Sequence, residues 1–318
     1  MQLSKISKEM KQCPLVFIVG GARSGTSMLY RTLQKHSAFM PKKINLQETH
    51  ILSYSNRSHL FTNNDPRNLI EYMLEDEFFY GKFLESIRSI QLIHRLKNFP
   101  ISSHFTNRLL WWWYINLNHI MLRAFFYYAS KARGCNRLIE KTPHNIRNVP
   151  NLLLAFPKCK LLYMYRHPID VYTSYVRRGR IEIKASWTHL SPEAFCNLYE
   201  KSMTLALHFE SKRKDSFLLV SYEDFTQDTA IVFRRICNFI GEPFEQEAII
   251  ERNPDLNLWK IDPHLFGNIT PKTKDWTEYI SKQDAQYIES NLASTIKRLN
   301  YQHYLKSYKP KCRTPELV

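Results

Sequence analysis

The stretch LVFIVGGARSGTSML, residues 15–29, constrains this chain more than any other. Residues 15–20 are a continuous apolar run, the pattern of a strand buried on both faces of a parallel sheet. Gly20, Gly21 and Gly25 follow, three of only eight glycines in 318 residues. Glycine lets a backbone turn sharply and lets a ligand come close. A helix opening near Gly25 and running to about His36 then presents its first amides and its dipole to an anion. Ser24, Thr26 and Ser27 add hydroxyls, and Arg23 adds a charge. The nucleotide-hydrolysing loop GxxxxGK[ST] has the same glycine spacing, but its lysine position holds Thr26 here. The cation has moved into the loop as Arg23.

Further along, short apolar runs alternate with helical periodicity. Strands are expected at 137–140, 160–165 and 216–221, and helices at 145–155, from Pro168 to about Arg178, at 192–212, 228–240 and 283–298. Pro168 suits a first helical turn, and Gly241 suits a helix end. The N-terminal residues read as a polar lead into the first strand. Such alternation predicts an α/β fold, three layers around a central parallel sheet, similar to the P-loop NTPases. One domain over 1–318 is expected, with a helical insertion at about 66–135 that includes the aromatic run WWWYINLNHIMLRAFFYYASKAR.

A net charge of +16 suits anionic partners. It is scattered, without a basic tail, so nucleic acid is not an expected partner. Six dispersed cysteines without a CxxC pair argue against a zinc site or a disulfide framework. No apolar run is long enough to span a bilayer, and no signal segment is apparent, so a cytoplasmic setting is expected and the sequons at Asn56 and Asn268 read as chance. The sequence leaves the oligomeric state open.

The strand KLLYMY ends in Arg166, where a magnesium-binding acid would be expected in a nucleotide hydrolase. Arg166 leaves the strand end toward the ligand crevice, and Ser174, eight residues on, lies two helical turns along the same face. A loop and a strand end that each bring an arginine suit a ligand with several anionic groups and no metal. ARSGTS with YRHPIDVYTSY resembles the sulfotransferases that use 3′-phosphoadenosine 5′-phosphosulfate (PAPS). The pattern is most similar to their carbohydrate-modifying, Golgi-type and bacterial members. The resemblance implies that Arg23, Ser24, Gly25, Thr26 and Ser27 bind the phosphosulfate, and that Arg166 and Ser174 bind the 3′-phosphate. It implies that Tyr222, in VSYEDF, lies near the adenine, and that Lys272 and Lys274, in TPKTKDW, close over the nucleotide. The product would be adenosine 3′,5′-bisphosphate (PAP).

Sulfuryl transfer to a hydroxyl needs a base within hydrogen-bond reach. INLQETHILS resembles the segment in which carbohydrate sulfotransferases carry a glutamate base, which implies Glu48, with His50 as neighbour or substitute. Small-molecule sulfotransferases use a histidine, which keeps His50, His104 and His144 open. Lys141, in EKTPH, is expected to stabilise the sulfate or the bridging oxygen. The acceptor is expected to be a carbohydrate or a small polar or lipid-like molecule. Two other readings remain: an ATP- and magnesium-dependent P-loop kinase, and a non-catalytic nucleotide- or polyanion-binding relative.

Overall fold

The computed structural model describes residues 2–40, 119, 120, 122–124, 126, 127, 130, 137–181, 186–250, 269 and 276–301. Four parallel strands form the sheet: β1 (Val16–Gly20), β2 (Ile139–Lys141), β3 (Lys160–Tyr165) and β4 (Phe217–Ser221). Their order is β2-β1-β3-β4. The chain therefore leaves β1 for one neighbour and later returns on its other side. That reversal opens a crevice at the carboxyl end of β1, where the glycine loop stands.

Alternation along the strands builds two cores. Phe17, Val19, Leu161, Tyr163, Phe217 and Leu219 face one side, and Val16, Ile18, Leu162, Met164 and Val220 face the other. The first side is covered by α1 (Gln2–Gln12), α3 (Val149–Ala155), α4 (Pro168–Ile181), α5 (Pro192–Lys212), α8 (Lys282–Asn291) and α9 (Ala293–Arg298). The second is covered by α2 (Thr26–Lys35) and α7 (Thr229–Ile240), with the short α6 (Tyr222–Gln227) leading into α7. The expected three-layer α/β architecture is present. No helix among the described residues is long and apolar enough to cross a membrane. Cys13, Cys159, Cys196 and Cys237 are free thiols, and burial pushes Cys159 up to about 12.

Several local expectations are corrected. The N-terminal lead is helical, because Ile6 and Met10 lie one turn apart and both bury on the first core. The helix expected at 145–155 is a 3₁₀ turn, Pro143–Asn148, followed by α3. Pro150 lacks an amide to continue a helix and instead opens a new one. The strand expected at 137–140 is shifted to end on Lys141, and the helix expected at 283–298 breaks at Leu292. Tyr222 starts a helix directly after β4. The insertion expected at 66–135 falls almost wholly outside the described residues, as do both sequons.

Helix starts differ in a telling way. Ser191, Ser221, Asp228 and Ser281 cap α5, α6, α7 and α8 with side-chain oxygens that accept a backbone amide. For α4 the acceptor is His167 Nδ1, 3.3 Å from the Ile169 amide. That bond needs a neutral ring. Burial first, and then the adjacent Arg166, push the His167 pKa down to about 3. His119 is likewise lowered to about 4, by burial and then by Arg123.

A lowered histidine refuses a proton that the unfolded chain accepts near 6.5. Stability therefore falls as pH drops below that value, by about 1.4 kcal/mol per pH unit for each such group, until the folded pKa is reached. Urea unfolding of His167→Asn, compared with the parent between about pH 7 and pH 5, should show a loss shallower by about 1 kcal/mol per pH unit. Identical slopes would contradict a neutral capping ring.

Candidate nucleotide and sulfate site

α2, like α3 and α9, starts without a side-chain cap, but it alone of the three starts on a left-handed glycine: its N-cap is Gly25, at φ 94°. Glycine is required here on two grounds. The left-handed backbone disfavours a side chain, and a Cβ would stand 2.5 Å from Cδ2 of Tyr222. At Gly20 a Cβ would collide with the carbonyl of Met164 on β3. The loop is thus pressed against the sheet on one side and against Tyr222 on the other. The amides of Met28 and Leu29 return to the Gly25 carbonyl, so the helical ladder starts one turn in. The turns before it leave the amide end and positive pole of α2 facing the crevice.

Arg23 also takes the left-handed conformation, at φ 69°. Its Nε donates to Oγ of Ser174 at 3.1 Å, so the loop and α4 are tied together across 151 residues of sequence. Arg166 is buried, 6 % exposed, and its Nη2 donates to Oδ2 of Asp170 at 3.2 Å, one turn along α4. Its guanidinium lies over the Tyr222 ring, 4.2 Å from the centroid. Burial raises the Tyr222 hydroxyl pKa, and Arg166 partly offsets the rise. Lys141 ends β2, is 2 % exposed, and donates from Nζ to Oγ of Ser27 at 3.2 Å. Glu140, the residue before it, is buried too. It accepts from Thr142 Oγ1 and, at 3.3 Å, from Asn145 Nδ2, which fixes the turn after the strand.

Of the residues singled out in the sequence, Arg23, Ser24, Gly25, Thr26, Ser27, Lys141, Arg166, Ser174 and Tyr222 are brought to one end of the sheet. Glu48, His50, His104, Lys272 and Lys274 lie outside the described residues. Asp170 joins the site, and an acid four residues after an arginine at a helix start is a readable signal for it. No local spacing marks Tyr199, Glu223 or Tyr301.

A cavity of about 40 Å³ opens on the other side of the loop. The loop residues Gly20 to Ala22 border it, with Tyr175 and Phe195 as aromatic walls and His144, Arg147 and Lys201 as its basic members. Burial lifts the Tyr175 hydroxyl to about 12, and nearby Arg23 offsets part of that rise. The arrangement offers three cations, several hydroxyls and a helix N-terminus to one anionic ligand.

Comparisons with known proteins agree with this geometry. A family model described as the sulfotransferase family matches residues 14–246. The flavonol 4′-sulfotransferase of Flaveria chlorifolia is 27 % identical over 173 residues, 44 % of this chain and 53 % of that protein. Sulfotransferase 2A1 of Macaca fascicularis is 31 % identical over 134 residues, 38 % of this chain and 45 % of that protein. The aligned part thus spans about half the length of these relatives. A mouse sulfotransferase solved in complex with PAP has the same fold, at a TM-score of 0.50 and 14 % identity, over 96 % of this chain and 94 % of that one. The family match runs from just before β1 to beyond α7, so it takes in the whole sheet and both halves of the site, and the chain belongs to the sulfotransferase family.

Proposed function

We propose that this chain transfers a sulfuryl group from PAPS to an acceptor hydroxyl. The observation that carries the reading is the Arg23–Ser174 bond, with Lys141 and Arg166 converging on the uncapped start of α2. A mono-anionic ligand would not need so many donors. A ligand with a phosphosulfate at one end and a 3′-phosphate at the other matches a loop and a helix that each contribute a cation and a hydroxyl.

When bound, the donor supplies a sulfuryl group whose S–O bond to phosphate breaks as the bond from sulfur to the acceptor oxygen forms, leaving PAP. The residues divide the remaining work. Ser24 to Ser27 and the α2 amides hold the phosphosulfate end. Arg23 and Lys141 stabilise charge that develops on the bridging and equatorial oxygens. Arg166 and Ser174 hold the 3′-phosphate, and Tyr222 flanks the adenine. Lys272 and Lys274 are assigned to the nucleotide, and Glu48 is assigned as the base that takes the proton from the acceptor hydroxyl, with His50 as its substitute. His144, exposed and bordering the cavity, is the alternative base. The mixed aromatic and basic lining suits an acceptor with a ring or apolar body and a polar group, within the carbohydrate and small polar or lipid-like classes.

A magnesium-dependent kinase reading fits less well. The residue after β3 is Arg166, and the acid after β4, Glu223, is taken up by the His167 amide and Tyr301.

Two variants test the assignments. Arg166→Ala should weaken PAP by about 1.5–3 kcal/mol, the worth of a charge-assisted bond, while 5′-AMP affinity stays within about twofold. Calorimetric titration of both nucleotides checks this, and an equal loss for both would sink the 3′-phosphate assignment. Glu48→Gln should keep PAP affinity and lose about 10²–10⁴-fold in turnover of labelled PAPS with a hydroxyl acceptor mixture. Unchanged turnover would move the base to a histidine, and absence of transfer by the parent with every acceptor class would overturn the reading.

A further inference from the structure

The Arg166–His167 peptide sits where neither sheet nor helix can hold it. The β3–β4 ladder ends at the Tyr165–Ser221 pair, and α4 starts at Pro168, which has no amide to give. Yet this peptide sets the direction in which Arg166 leaves the strand. Both of its polar atoms are engaged by side chains from distant segments. Tyr199 Oη, on α5, donates to the Arg166 carbonyl at 2.7 Å. The His167 N–H donates to Oε1 of Glu223, on α6, at 2.9 Å. The other Glu223 oxygen accepts from Ser221 Oγ at 3.3 Å and from the hydroxyl of Tyr301. The Tyr301 ring packs edge-on against His167, with centroids 5.1 Å apart, and against Tyr165 at 6.1 Å.

We infer that Tyr199, Glu223 and Tyr301 form a clamp on the Arg166–His167 peptide and act as positioning residues that aim Arg166 at the 3′-phosphate of the donor. The inference rests on the donor reading above. Three features support it. The clamp grips the one peptide between the ladder and the helix, so it replaces missing backbone bonds rather than adding to existing ones. Its members come from α5, α6 and the segment after α9, so a slip of any of these would tilt the peptide. Burial raises the Glu223 carboxyl pKa, while the His167 amide, Tyr301 and Arg166 all act to keep it ionised. A carboxylate held in this way is a strong acceptor for an amide.

The test uses full-length Tyr199→Phe, Tyr301→Phe, Glu223→Ala and Glu223→Gln, each titrated with PAP and with 5′-AMP and each melted by urea. Removing either tyrosine hydroxyl should weaken PAP about tenfold and 5′-AMP less than about twofold, because a misaimed cation loses only the 3′-phosphate. Glu223→Ala should do the same, and Glu223→Gln, which keeps a carbonyl acceptor for the His167 amide, should recover most of the loss. Parallel changes for both nucleotides, or no change in folded variants, would overturn the clamp. Failure of all four to unfold cooperatively would also overturn it, reducing these residues to core supports. If the parent does not distinguish PAP from 5′-AMP, the donor reading fails instead, and the variants carry no blame for that result.

Discussion

A helix that opens on a left-handed glycine just past the carboxyl end of a central parallel strand keeps its positive pole for a ligand, and the candidate site is organised around one such helix. Four other helices each spend a serine or aspartate on capping. α2 spends a glycine, which offers nothing to its own amides and leaves room for Tyr222. The position tolerates nothing larger, because the backbone is left-handed and the Tyr222 ring is already in contact. The rest follows from keeping that opening intact. The loop is braced on Met164 from below and held to α4 by Arg23 and Ser174.

The strand order supplies the second half of the arrangement. Because β2 and β3 flank β1, residues that leave their carboxyl ends flank the loop as well. Lys141 comes from one neighbour and Arg166 from the other. Each is buried and each donates to a named partner, so their charges are aimed rather than free to wander in solvent. Fixed donors cost no reorganisation when charge develops in a transition state, and the proposed sulfuryl transfer would draw on that. His167, kept neutral next to Arg166, leaves the arginine as the local cation and turns the ring to capping instead.

Much of this was legible in residues 15–29 and 160–174. Apolar runs gave β1, β3 and β4 to within a residue or two, and Pro168 and Gly241 marked helix boundaries correctly. The eight-residue spacing of Arg166 and Ser174 suggests a shared face, whereas the bonds present join Arg166 to Asp170 and Ser174 to Arg23. α1 is hard to read in sequence because its two buried apolar residues, Ile6 and Met10, are too few to stand out among lysines. Pro150 starts a new helix inside a stretch that reads as one helix in sequence. Glu223 and Tyr301 could not be joined from sequence, since they are 78 residues apart and the bond depends on how α9 folds back toward β3. Tertiary packing carries that information, and local patterning does not.

On the proposed donor reading, the site takes a bisphosphorylated nucleotide without a metal bridge. Calorimetric titration of the protein with PAP and with ATP, each with and without magnesium, decides this. PAP should bind at least about tenfold tighter than ATP, a difference of about 1.4 kcal/mol, and magnesium should leave PAP affinity unchanged. Preferential binding of ATP that depends on magnesium would contradict it, and would assign Arg23 and Arg166 to a different phosphate chemistry.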